Sequence, residues 1–112
     1  MKVYFSHGKE SGPWGTKITR LAAIAAERGC AVESVDYTDT MDPELRVERL
    51  LGALADEPGE FLLAGSSMGG YVSLVASGSV AARAVFLMAP ALYMPGFRRQ
   101  SYPAGSTPIS VR

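Results

Sequence analysis

The run Phe61-Leu62-Leu63-Ala64 leads directly into Gly65-Ser66-Ser67-Met68-Gly69-Gly70, and this junction restricts the fold more than any other part of the chain. Apolar residues in succession, rather than alternating with polar ones, describe a strand buried on both faces. Such a strand belongs inside a parallel sheet covered by helices. The glycines let the chain turn sharply from strand to helix. The helix is predicted to begin near Met68 and to stop near Gly78.

The same alternation recurs elsewhere. Lys2-Val3-Tyr4-Phe5-Ser6 is an apolar run stopped by His7-Gly8, a strand ending in a loop. After Gly12, Pro13, Trp14 and Gly15, Thr16 opens a pattern that puts Ile18, Leu21, Ala22 and Ala25 on one helical face, with Gly29 as its stop. Ala31 to Asp36 reads as the second strand. Asp42-Pro43 is a helix start, because Asp caps free N–H groups and Pro in the first turn sacrifices no hydrogen bond; Val47, Leu50, Leu51 and Leu54 then share a face. Ala84 to Met88 is a fourth buried strand ended by Ala89-Pro90. Strands alternating with helices through short connections give a doubly wound α/β domain over residues 1–112, with residues 93–112 an irregular Pro- and Gly-rich tail. Within that tail only Ile109-Ser110-Val111 reads as a strand, a short fifth one.

Eleven Lys plus Arg balance eleven Asp plus Glu, so no net field draws the chain toward nucleic acid or an anionic membrane, and a small neutral substrate suits it better than a polyanion. Arg98-Arg99 beside Gln100 reads as a solvated loop. No apolar run approaches the roughly 20 residues of a membrane helix. The start of the chain reaches His7-Gly8 too soon for a signal peptide, and Cys30 has no internal disulfide partner; the expected compartment is the cytoplasm. Cys30, after Gly29 at a helix-to-strand turn, reads as a structural thiol. Asp36, Asp39 and Asp42 lie on a loop without His or Cys, and no metal or cofactor is expected.

Gly65-Ser66-Ser67-Met68-Gly69 fits the GxSxG pattern, whose chemical meaning depends on a buried strand turning into a helix and pushing the central serine hydroxyl above the sheet. That context makes Ser67 the candidate nucleophile, with Gly65, Gly69 and Gly70 giving strand and helix room to approach. The competing reading is a small-residue turn that cradles an anion, although neither the P-loop nor the three-glycine dinucleotide spacing is present. Ligands gather at the carboxyl ends of parallel strands, so His7-Gly8-Lys9 and the Ser67 turn should open onto one crevice. The backbone N–H groups of Lys9 and Met68 are the candidate oxyanion donors. His7 is read as a strand-end histidine bonded to backbone rather than as a base. Trp14 and Tyr71, with Tyr93 and Met94, are candidates either for an apolar acyl pocket or for packing.

Together, His7-Gly8, the loop Glu10-Ser11-Gly12-Pro13-Trp14-Gly15, the turn Gly65 to Gly70 and Met88-Ala89-Pro90-Ala91-Leu92 resemble the small, capless bacterial esterases of the α/β-hydrolase superfamily, over Met1 to about Leu92. The resemblance implies a sheet order of second, first, third, fourth strand, and a serine attack on a small neutral ester. It also implies an Asp or Glu and then a His after the later strands. Here no His follows His7 and no Asp or Glu follows Glu60. The chain as given is therefore expected to be nearly inactive, and the strand Ala84 to Met88 to have a poorly covered outer edge through which a homodimer could form. The alternatives are a truncated, non-catalytic fragment and a flavodoxin-like module binding an anion at Ser66 to Gly70.

Overall fold

The computed structural model describes residues 1–8 and 12–88 and the backbone of 108–111. The elements run β1 (Lys2–Ser6), α1 (Thr16–Glu27), β2 (Ala31–Val35), α2 (Pro43–Leu54), β3 (Phe61–Ser66), α3 (Met68–Ser77), β4 (Val85–Met88) and β5 (Pro108–Val111). All strands pair in parallel in one sheet of order β2-β1-β3-β4-β5, with Ser6 level with Gly65 and Ser66 level with Met88. This is the doubly wound architecture, and the order of its first four strands, that the sequence predicts.

Local chemistry accounts for the helix limits. Asp42 accepts the Glu44 N–H at 2.9 Å at the start of α2, with Pro43 as the first helical residue. Gly29, at φ 83°, ends the turn after α1 in a conformation that favours glycine. The two faces of the sheet collect different side chains, as the period of two requires. Tyr4, Phe61, Leu63, Val85 and Leu87 pack with Val47, Leu50 and Leu54 of α2 and Tyr71, Val72 and Leu74 of α3. Val3, Phe5 and Ala64 pack with Ile18 and Ala22 of α1. Each fully buried aliphatic or aromatic side chain in these clusters contributes ~1.5–3 kcal/mol.

The expectation of a poorly covered edge on β4 is corrected. All four residues of β4 pair with β5, from Val85 level with Pro108 to Met88 level with Val111, because a four-residue strand is long enough to satisfy so short a neighbour. The sheet's outer strands are β2 and β5. The course of the chain between β4 and β5, including most of the predicted irregular tail, lies outside the described residues.

Candidate active site

Ser67 occupies the single residue between β3 and α3, with φ 55° and ψ −121°, and is the only non-glycine residue with positive φ among those described. Such a conformation costs on the order of 1–3 kcal/mol and persists only where its surroundings enforce it. Here the Ser67 N–H donates to the Met88 carbonyl at 3.0 Å, while the Gly70 N–H donates to the Ser67 carbonyl at 2.9 Å. The residue is exposed, and its hydroxyl makes no capping bond to the helix it precedes.

Glycine is required on either side for steric reasons. A Cβ on Gly65 would lie 2.0 Å from the Gly69 carbonyl oxygen, and one on Gly69 would lie 1.9 Å from that of Ser6. The first turn of α3 therefore presses directly on the ends of β3 and β1. The same contact brings the His7 carbonyl to 2.8 Å from that notional Gly69 Cβ, which sets His7 against the start of α3. Met68, the first residue of α3, has an N–H with no acceptor inside the helix and lies at the positive end of its dipole. Lys9, the other oxyanion candidate, lies outside the described residues, as do Glu10, Ser11, Ala89 to Leu92, Tyr93 and Met94.

His7 is fully buried. Its Nε2 accepts the Tyr37 N–H at 2.8 Å, which places the ring proton on Nδ1, where it donates to the Gly8 carbonyl at 2.7 Å. Both ring nitrogens are thus bonded to backbone, as expected of a strand-end histidine and unlike a general base. Tyr37 is buried beside it; its hydroxyl lies 2.8 Å from the Ser6 hydroxyl, and burial pushes its pKa up to about 12.

Of the other candidates, Trp14 is exposed on the turn before α1, and its carbonyl accepts the Thr19 hydroxyl at 3.0 Å. Tyr71 has no exposure and lies in the core, its hydroxyl donating to Glu44 Oε2 at 2.7 Å. Ser66, half-buried, lines a cleft of about 270 Å³ with Gly15 to Ile18 at the start of α1. The three aspartates have local roles: Asp42 caps α2, Asp39 pairs with Arg49, and Asp36 accepts both the N–H and the hydroxyl of Thr38, which hold its carboxyl below the usual range. Among the described residues no group of three side chains could hold a metal, and no helix is long and apolar enough to cross a membrane.

Arg46 is the residue of the site that sequence reading missed. It has no exposed surface, and its Nε, Nη1 and Nη2 donate to the carbonyls of Thr40, Gly8 and Tyr37 at 2.8, 3.1 and 3.2 Å. Burial lowers its pKa, although an arginine remains charged in proteins. The signal was its spacing: Arg46 lies one and two turns before Leu50 and Leu54, on the apolar stripe of α2 rather than opposite it.

Comparison with known proteins agrees with this geometry. Residues 1–97 match the profile of an uncharacterised protein family, UPF0227. A crystal structure from Xanthomonas campestris pv. campestris, of a protein classed by inference as a hydrolase of the alpha/beta superfamily, is 34% identical, with a TM-score of 0.84 over 97% of this chain and 69% of that one. An alpha/beta serine hydrolase without a lid, also from Xanthomonas campestris, superposes with a TM-score of 0.66 at 23% identity, over 96% of this chain and 57% of its own. Mouse alpha/beta hydrolase domain-containing protein 10 gives 0.67 at 22% identity, over 81% and 41%. These last two share the fold. No curated protein gives a significant match.

Proposed function

We propose, from the premise that the chain belongs to the UPF0227 family and to the α/β-hydrolase superfamily, that Ser67 is the nucleophile of an ester-cleaving acyl transfer. The observation that carries this reading is the exposed Ser67, held at positive φ on a strand-to-helix turn with its hydroxyl unspent on capping. The hydroxyl oxygen adds to the carbonyl of a small neutral ester while its proton passes to solvent water, the oxyanion that forms takes hydrogen bonds from the Met68 and Lys9 N–H groups, and its collapse breaks the ester C–O bond, so that the alcohol leaves with a proton from water and the acyl group stays on Ser67. Each such donor is worth about 3 kcal/mol. His7, the only histidine of the chain, is committed to backbone and does not take the Ser67 proton. Without another base the chain keeps only the oxyanion and binding contributions, about 10³ to 10⁴ over the uncatalysed rate. A cytoplasmic setting, in which Cys30 stays reduced, and pairing of two copies along an outer strand both suit this reading.

The test is labelling with a fluorophosphonate, followed by intact mass, alongside hydrolysis of a short-chain aryl ester. Slow, stoichiometric labelling that disappears in Ser67→Ala and persists in His7→Ala is expected. Equal labelling of Ser67→Ala, or rapid turnover that is lost in His7→Ala, would overturn the assignment of roles.

A further inference from the structure

The geometry points to a binding site for an alkyl carboxylate on the α1 face of the sheet, separate from Ser67 and independent of the reading of its chemistry. Every second residue of a strand turns to the same face. Leu62 and Ala64 of β3 and Phe86 and Met88 of β4 accordingly form the floor of a groove of about 270 Å³ beside α1, and Leu21 and Ile24 form its wall. The described residues cover this floor incompletely: Leu62 and Phe86 are half-buried, and Ile24 is 49% exposed. A ligand with an apolar body removes that surface from water, which is favourable in proportion to the area covered.

One lining residue differs from the rest. Arg28, at the end of α1, is the single charged side chain among the described residues that line the groove, and it forms no ion pair with any described residue. The half-buried Cys30 borders the same end. Among the described lining residues none carries a carboxylate, an amide or a hydroxyl in its side chain. The groove thus offers a long apolar contact closed by one cation. A sugar or a nucleotide would leave most of its polar groups unpaired there, and a cationic amphiphile would meet the guanidinium. An alkyl chain ending in a carboxylate satisfies both parts, the chain on the floor and the head on Arg28, whose planar fork matches two carboxylate oxygens.

Size and direction agree with such a ligand. Leu21 to Arg28 spans about 10 Å of helix. The volume falls just below the roughly 300 Å³ at which pockets for drug-sized molecules begin, room for one extended chain rather than a coenzyme. The helix starts beside Ser66, at the carboxyl ends of the strands, and ends just before β2, whose first residue Ala31 is level with Lys2. Arg28 therefore holds the carboxylate at the end of the sheet opposite Ser67, and the bound molecule is not the ester of the candidate active site.

The experiment titrates the full 112-residue chain, isotope-labelled for NMR, with sodium decanoate, decanol and decyltrimethylammonium bromide, each below the concentration at which it forms micelles; sedimentation velocity follows the number of copies. Decanoate should bind saturably, shift the amides of Arg28, Cys30, Leu62 and Phe86, and bind about tenfold more tightly than decanol, with the ammonium weaker still. Arg28→Gln, an exposed position, should bring decanoate level with decanol, and Phe86→Ser should weaken both. Equal affinity of decanoate and decanol for wild type overturns the assignment without recourse to a variant. Undiminished decanoate affinity in folded Arg28→Gln, or shifts confined to the Ser67 turn, overturns it too. A wild-type dimer that decanoate neither dissociates nor shifts at the groove amides would overturn it in favour of a second copy as the occupant.

Discussion

Leu62 and Leu63 are neighbours on β3, yet Leu63 is fully buried under α2 and α3 while Leu62 is only half-buried on the face that carries α1. The contrast extends across the sheet. Among the described residues, one face is covered by two helices that also pack on each other; on the other, α1 leaves an apolar groove of about 270 Å³ bordered by Leu21, Ile24, Leu62, Phe86 and Arg28. The cause is topological. Right-handed crossovers that step one way along the sheet put their helices on one face, and those that step the other way use the opposite face. From β2 to β3 and from β3 to β4 the chain steps in one direction; only the step from β1 to β2 goes the other way. The Ser67 turn is anchored on the densely packed face, through the contact of Gly69 with Ser6, so the strain at Ser67 is held by the better-packed half of the molecule.

The largest expected effect tests that anchor. Gly69→Ala puts a methyl group 1.9 Å from a backbone oxygen that cannot move without displacing β1, and loss of the cooperative transition in circular dichroism is expected. Gly52→Ala, on an exposed stretch of α2 with nothing within 4 Å, should instead raise stability by about 1 kcal/mol. A cooperative melt near wild type for Gly69→Ala would mean that α3 does not press on β1.

The paired substitutions Leu63→Ala and Leu62→Ala measure the two faces directly. Denaturant unfolding should show a loss of about 2–5 kcal/mol for Leu63→Ala and about 1 kcal/mol or less for Leu62→Ala. Equal losses would show that the groove face is as well packed as the other.

Tyr37 gives the packed face a signature at alkaline pH. Its folded pKa of about 12 lies above the ordinary tyrosine value of 10.0, so between these limits the native state holds a proton that the unfolded state has released. The stability from burying the neutral phenol is therefore fully present below pH 10 and is lost as pH rises through 12, on the order of 3 kcal/mol. Tyr37→Phe should remove this part of the alkaline fall in melting temperature; an unchanged pH profile would place the titration elsewhere.

The smallest effect belongs to the groove. Phe86 is half-buried there, so Phe86→Ser should change stability by no more than about 1 kcal/mol while lowering the fluorescence of a bound apolar dye. A dye signal unaffected by the change would show that the groove is not the apolar surface being reported.

The strands, the helix starts and the serine turn were legible in the sequence because each rests on neighbours in the chain. Asp42-Pro43 caps a helix by local hydrogen bonding, and Phe61 to Ala64 declares burial by its lack of alternation. The pairing of all four β4 residues with β5 was not legible, because strand pairing depends on a partner distant in sequence.

By itself, then, the sequence determined the order and kind of its elements and the place of the turn at Ser67, since propensity, capping and apolar period act within a few residues. Only the tertiary structure decided what His7 and Arg46 do. A histidine at a strand end and an arginine on a helix stripe are ambiguous until the Tyr37 N–H reaches one and the Gly8 carbonyl the other, across 30 and 38 residues of chain. Those separations are closed by the packing of β1, β2 and α2, and the protonation and bonding of a buried polar group follow from the partners that packing supplies.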